Sequence, residues 1–199
     1  MSRWLSLSNM TTAMQRLHAS LLAAPVIWKG DYPYFIHPIT DGVPRLDGEV
    51  LEAVINLIIE RVDWENVDLI LGIEAMGLPL CAPLSIQTGK PLVIARKRPY
   101  GFENEITIDQ STGYSKGAMY LNDINPGEKV LIVDDVLSTG GTMKAIFTGL
   151  ETAKAEVAEV VTIIEKGEGV NLLRKQYPSI SISSLVRLEM DGDKVVILD

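Results

Sequence analysis

VLIVDDVLSTGGT, residues 130–142, passes from branched apolar residues through two carboxylates into a turn of glycines and hydroxyls. The run Lys129 to Val133 (KVLIV) is short, continuous and apolar, the pattern of a strand buried on both faces. Met143, Ile146, Phe147 and Leu150 follow at i, i+3, i+4 and i+7, the spacing of a helix with one apolar stripe. The strand therefore delivers Asp134 and Asp135 to its carboxyl edge. Two adjacent carboxylates there accept hydrogen bonds from vicinal hydroxyls, such as the 2′ and 3′ hydroxyls of ribose. Ser138, Thr139, Gly140, Gly141 and Thr142 supply what a phosphate needs: close backbone approach, convergent N–H groups, hydroxyl donors and a helix N-terminus. The loop lacks the Gly-Lys-Ser/Thr ending of a Walker A motif. A strand, an Asp N-cap and a glycine turn without any ligand would need less than Asp-Asp and Ser-Thr-Gly-Gly-Thr in register. A receiver domain holding magnesium would place its acidic pair after the first strand and follow it with no glycine loop.

Outward from this stretch the pattern alternates. Asp68 to Ile73 (DLILGI), Pro91 to Ala95 (PLVIA) and Val160 to Ile164 (VVTII) read as strands, with Ile182 to Val186 and Val195 to Leu198 as the last ones. Leu78 to Thr88 and Val170 to Tyr177 read as helices; Pro79 suits a first turn, while Pro83 would perturb a helix reaching that far. Leu51, Val54, Ile55, Ile58 and Val62 mark an amphipathic helix, and Met14, Leu17 and Leu21 a shorter one ending before Pro25. Residues 1–13 are expected to be a loose extension and Tyr32 to Pro44 irregular. Arg96 to Leu121 breaks the rhythm with a long polar connection, which within a domain is usually functional or mobile. The expected fold is α/β: one domain over residues 1–199, with a mainly parallel twisted sheet flanked by helices. Ligands in such folds bind beyond the carboxyl ends of the strands.

Composition narrows the partners. With 199 residues, 47% of them apolar, the chain suits one core. A formal charge of −8 argues against nucleic acid and for a small ligand. The longest apolar run, Leu21 to Trp28, is too short to span a membrane, and no signal peptide opens the chain. The single cysteine, Cys81 in LPLCAPL, reads as a small buried hydrophobe and fits a reducing cytoplasm.

VLIVDDVLSTGGT resembles the phosphoribosyl pyrophosphate (PRPP) signature of type I phosphoribosyltransferases. LLAAPVIWKGDYPYFIHPITDGVP, DLILGIEAMGLPL, VIARKRPYG, QSTGYSKGAMYL and IIEKGEG extend the resemblance over most of the chain. The pattern is most similar to archaeal hypoxanthine phosphoribosyltransferases, themselves related to adenine phosphoribosyltransferases. That resemblance implies the type I fold with an N-terminal hood, and a flexible flap at residues 96–121. It implies a homodimer and magnesium bound mainly through PRPP oxygens, with no dedicated metal ligands. Asp134 and Asp135 would hold the ribose hydroxyls, Ser138 to Thr142 the 5′-phosphate, and Glu74-Ala75-Met76-Gly77 the pyrophosphate. Adenine enzymes typically carry Arg where Met76 stands. Arg96 and Lys97, the start of the densest basic cluster, would neutralise the leaving pyrophosphate; Lys116 is a further basic candidate.

For the purine, the resemblance points to Tyr34 and Phe35 from the hood and to Glu165 and Lys166 after the strand VVTII. His37 is a further residue of the hood, with a structural role the better reading. The general base stays open. Ser138 stands where mammalian-type oxopurine enzymes carry Asp, and Gly113 is nearest to the flap Glu of adenine enzymes; Glu103 and Glu105 are neighbours. The implied reaction is hypoxanthine, with guanine as a further substrate, plus PRPP giving nucleotide and pyrophosphate. Adenine phosphoribosyltransferase is the alternative, and a PRPP-sensing regulator that binds nucleic acid is a third reading.

Overall fold

The computed structural model describes residues 7–111 and 116–198. Its centre is a six-stranded sheet of order β10-β9-β8-β7-β3-β4. The strands are β3 (Leu69–Ile73), β4 (Leu92–Ala95), β7 (Lys129–Leu137), β8 (Glu156–Lys166), β9 (Ser181–Asp191) and β10 (Lys194–Leu198). All neighbours run parallel except β9 and β10, which form an antiparallel edge. Every residue of β3 is buried, as a parallel strand covered on both faces requires. The pairing Leu69↔Val130 and Gly72↔Val133 sets the ends of β3 and β7 side by side. The chain leaves β3 for β4 on one side and returns to β7 on the other, so a crevice opens between these ends.

Two apolar cores cover the two faces. On one, α1 (Leu7–Leu22), α3 (Gly48–Arg61) and α4 (Gly77–Thr88) bury Leu17, Leu21, Val54, Ile58, Leu80 and Leu84 against Val133 and Val161. On the other, α5 (Gly141–Ala153) and α6 (Gly169–Gln176) bury Ile146, Leu150 and Leu173 against Leu71 and Ile132. Each fully buried Leu or Ile contributes about 1.5–3 kcal/mol. Asp47 caps α3 by accepting from the Glu49 and Val50 amides.

The structure revises several expectations. Helix α1 begins at Leu7, so residues 7–13 belong to a helix and not to a loose extension; Ala13 is buried there, and Arg16 pairs with Glu49 of α3 at 2.7 Å. The segment expected to be irregular holds β2 (Tyr32–Phe35), which pairs with β1 (Val26–Lys29), and then the one-turn α2 (Pro38–Asp41). The hairpin turns through Gly30 at φ +63°, a region L side chains avoid. The long connection is an antiparallel hairpin of β5 (Ile106–Ser111) and β6 (Lys116–Leu121). Ile108 and Leu121 pack it onto α5 at Gly149, where a Cβ would lie 2.5 and 2.8 Å from their ends. Backbone bonds between Arg96 and Tyr120 root the hairpin at the exit of β4. Pro83 lies inside α4, whose buried Leu80, Cys81 and Leu84 outweigh the one missing amide donor. The Gly113 position and the Lys116 side chain lie outside the described residues.

Candidate active site

Strand β7 continues past its apolar run, so both carboxylates sit within the strand: Asp134 is 8% exposed and Asp135 half-buried. After Leu137 the chain turns through Gly140, at φ +79°, into the N-terminus of α5. Residues 138–142, with Asp134, Val136, Leu137 and Met143, line a pocket of about 110 Å³. Backbone amides and the positive end of a helix meet there without any side-chain cap, which suits an anion.

A second pocket, of about 440 Å³, adjoins it and shares Asp134, Val136 and Thr142. Its walls bring together Glu74, Ala75 and Met76 from the end of β3, Lys97 from the exit of β4, and Asp135. Gly77, which opens α4, sits so close to β7 that a Cβ would meet the Val133 carbonyl at 3.1 Å. The Glu74–Ala75 peptide bond is cis. Burial raises the Asp134 pKa well above the ordinary carboxylate range, and the neighbouring Asp135 charge adds to it. Burial also raises that of Asp135. The two carboxyls bond to each other and Asp135 also accepts from its own and the Val136 amides, and vicinal hydroxyls are further donors such a pair can accept.

Arg96 and Lys97 part company. Lys97 lines the larger pocket, while its own amide donates to Glu74 Oε2 at 2.9 Å. Arg96 instead leans on Glu74, its Nε 3.2 Å from the same oxygen but off the hydrogen-bond line, with its guanidinium 5.7 Å from the Tyr100 ring centroid. Met76 packs against the hood: its Sδ lies 3.5 Å from where a Gly42 Cβ would be. Glu105 accepts from the Tyr100 and Gly101 amides and from Asn122, which lowers its pKa and makes it a poor proton acceptor.

The hood adds residues that the sequence reading missed. Thr40 and Asp41 of α2 line the larger pocket, as does Met119 of the flap. Asp41 accepts from Tyr34 Oη and the His37 amide, both at 3.0 Å, and from Thr40 Oγ1 at 2.6 Å. Burial and the bond to Asp41 raise the Tyr34 pKa to about 12, so the phenol stays protonated. A carboxylate two residues after Pro38-Ile39 and just before Gly42 resembles any turn signal, which is why it passed unnoticed. His37 is structural: Nδ1 accepts from the Ile39 amide, Nε2 lies 3.0 Å from Ser20 Oγ, and burial lowers its pKa to about 4. Tyr34 and Phe35 stack with centroids 6.4 Å apart. Lys166 Nζ lies 4.7 Å from the Tyr32 ring and 5.4 Å from that of Phe35. Glu165 belongs to the other face of β8, since neighbours on a strand alternate; it pairs with Arg187 at 3.6 Å and does not join the aromatic group.

This geometry agrees with comparison to known proteins. Residues 47–193 match the phosphoribosyl transferase domain, and the chain belongs to that family. A hypoxanthine/guanine phosphoribosyltransferase of Ferroglobus placidus is 51% identical over 186 residues, covering 94% of this chain and 98% of its own. One from Methanotorris igneus is 50% identical over 182 residues, covering 92% and 99%. Among solved structures, an adenine phosphoribosyltransferase of Rhodothermus marinus superposes with a TM-score of 0.70 at 25% identity, covering 89% of this chain and 99% of that one. One from Leishmania donovani gives 0.72 at 20% identity, covering 88% and 79%.

Proposed function

We propose that this protein transfers the phosphoribosyl group of PRPP to hypoxanthine, and to guanine, giving the nucleotide and pyrophosphate in purine salvage. The observation that carries this is the junction of the two pockets. The pocket of the anion loop and the pocket holding the pair of carboxylates adjoin, sharing Asp134, Val136 and Thr142, so a phosphate and the diol of one sugar can be held side by side. The relatives at about half identity, named for hypoxanthine and guanine, support the choice of base.

Residues 138–142 anchor the 5′-phosphate, and Asp134 with Asp135 accepts from the 2′ and 3′ hydroxyls, so C1 of the ribose is fixed. Lys97 faces the pyrophosphate oxygens, and its charge offsets the negative charge that builds as the C1–O bond breaks. Glu74 holds the base of that lysine by accepting from its amide and pairs with Arg96, whose backbone bonds to Tyr120 root the flap. A purine nitrogen held under the hood forms the new bond to C1 with inversion, and its proton passes to water. Tyr34 offers aromatic surface to the base and Lys166 a donor to its 6-oxo group, while Phe35, 5% exposed, fills the core behind them and does not present a face to the base. Among the described residues no cluster of three or more metal-ligating side chains occurs, so magnesium would be held mainly by PRPP oxygens and water, to which Asp134 and Asp135 would add carboxylate oxygens. Bound there, magnesium would neutralise the pyrophosphate charge.

Helix packing leaves no described helix long and apolar enough to cross a membrane. A cytoplasmic setting agrees with the lone thiol, which is buried. A homodimer is part of the same proposal; Ile27, Trp28 and Val43 leave apolar surface exposed for it, and sedimentation tests it.

Turnover of hypoxanthine, guanine, adenine and xanthine, each with PRPP and magnesium, tests the reading. Activity with hypoxanthine and guanine is expected, and activity with adenine alone overturns it.

A further inference from the structure

We propose that Gly169, at the start of α6, is a positioning residue that sets the height of the phosphate loop. The inference rests on the reading of residues 138–142 as that loop. The Gly169 amide donates to the Ser138 carbonyl at 2.9 Å, joining the segment after β8 to the first residue of the loop. No side chain fits between them. A Cβ on Gly169 would lie 2.2 Å from Ser138 O, 2.7 Å from Ser138 C and 2.9 Å from Gly140 N. All three are backbone atoms, so no rotamer change relieves the overlap.

Gly169 has ordinary helical backbone, so the demand for glycine comes from this contact alone. The next turn of α6 continues the floor: Leu173 Cγ and Cδ1 lie 3.1 and 3.2 Å from where a Gly140 Cβ would be. Glu168 is drawn toward β9 by Arg187 Nη2, at 3.8 Å, a loose surface pair that adds little. Gly169 and Leu173 therefore support the loop at Ser138 and Gly140 from behind, while residues 138–142 together line the pocket. None of the floor residues belongs to that pocket, so Gly169 acts through the loop and not on the ligand.

Replacing Gly169 by Ala forces the loop outward by roughly 1 Å, and a misplacement of that size costs up to about 100-fold in a preorganised site. The experiment compares Gly169→Ala with wild type for binding of ribose 5-phosphate, inhibition by inorganic pyrophosphate, and the KM for PRPP. The expected result is a ~10- to 100-fold loss for ribose 5-phosphate and PRPP, with pyrophosphate inhibition within about twofold of wild type. Unchanged ribose 5-phosphate binding, or an equal loss for pyrophosphate, overturns the proposal. If Gly169→Ala does not fold, Leu173→Val withdraws atoms from beneath Gly140 and should weaken ribose 5-phosphate binding selectively by a few-fold; no selective loss there overturns it too. A wild-type protein that binds no ribose 5-phosphate would instead refute the phosphate-loop reading itself, and the proposal with it.

Discussion

Asp134→Asn separates what the free protein loses by keeping this carboxylate from what the complex gains. Asp134 is 8% exposed beside Asp135, and burial together with that neighbouring charge raises its pKa. A raised carboxylate pKa means that the folded chain binds the proton more tightly than the unfolded one. Stability from this group is therefore greatest below the unfolded pKa and is lost as pH rises through the folded one. Asn keeps the shape, carries no charge and donates an N–H toward Asp135. The unliganded variant should be more stable than wild type at pH 7 by about 1–3 kcal/mol, because a buried carboxyl whose charged form is disfavoured beside Asp135 gives way to a neutral donor. With ligand the sign reverses. A charge-assisted hydrogen bond contributes about 1.5–3 kcal/mol, so the KM for PRPP should rise roughly 10- to 150-fold. Thermal denaturation without ligand from pH 5 to 8 and initial rates against PRPP measure the two effects on one preparation. A less stable apo variant, or a PRPP KM within twofold of wild type, would refute the assignment of this carboxylate to the ribose.

Lys97→Ala should lower kcat/KM for PRPP by about 2 kcal/mol or more, as loss of a preorganised charge does; Arg96→Ala should do less to kcat and more to flap order, read by limited proteolysis. His37 has a pKa lowered to about 4 by burial, so its contribution to stability is complete above pH 6.5 and is lost as pH falls toward 4. Denaturant titrations at pH 7 and pH 5 should differ by about 2 kcal/mol from this group, and His37→Asn should abolish that part. Gly149→Ala pushes into Ile108 and Leu121 and should cost about 1–3 kcal/mol, with faster cleavage in the flap; an unchanged melting temperature would show that the flap yields freely.

The central sheet was readable because β3 and the first part of β7 are buried on both faces, and β4, half-buried at the sheet edge, likewise carries little but apolar residues. The same reasoning fell short at strand ends. β8 and β9 each run eleven residues, well beyond their apolar stretches, because Glu156, Arg187 and Glu189 hold ladder bonds outside the core. Strand β2 shows only Phe35 fully buried and contains Pro33, so its pattern matches that of a loop. The flap does alternate at Ile106 and Ile108, yet its apolar face has meaning only against Gly149, far along the chain. At the site, the Asp pair and glycine loop were legible because local sequence suffices to build them. Asp41 was not, since its place depends on how α2 docks across β7. Glu165 looked equivalent to Lys166 until the strand set them on opposite faces.

The matched family region begins at residue 47, after the hood hairpin and α2 have ended. The hood proposed to cover the base and the loops proposed to hold the sugar phosphate thus lie on either side of that boundary, with Lys166 beyond it. The joint between them is an exposed stretch around Val43 to Asp47, anchored by Phe35 and Ile39, whose side chains plug into the core. On the proposed reading, exchange at such a joint would change the hood's share of base recognition while leaving the donor loop and Lys166 in place, provided those two plugs travel with the segment.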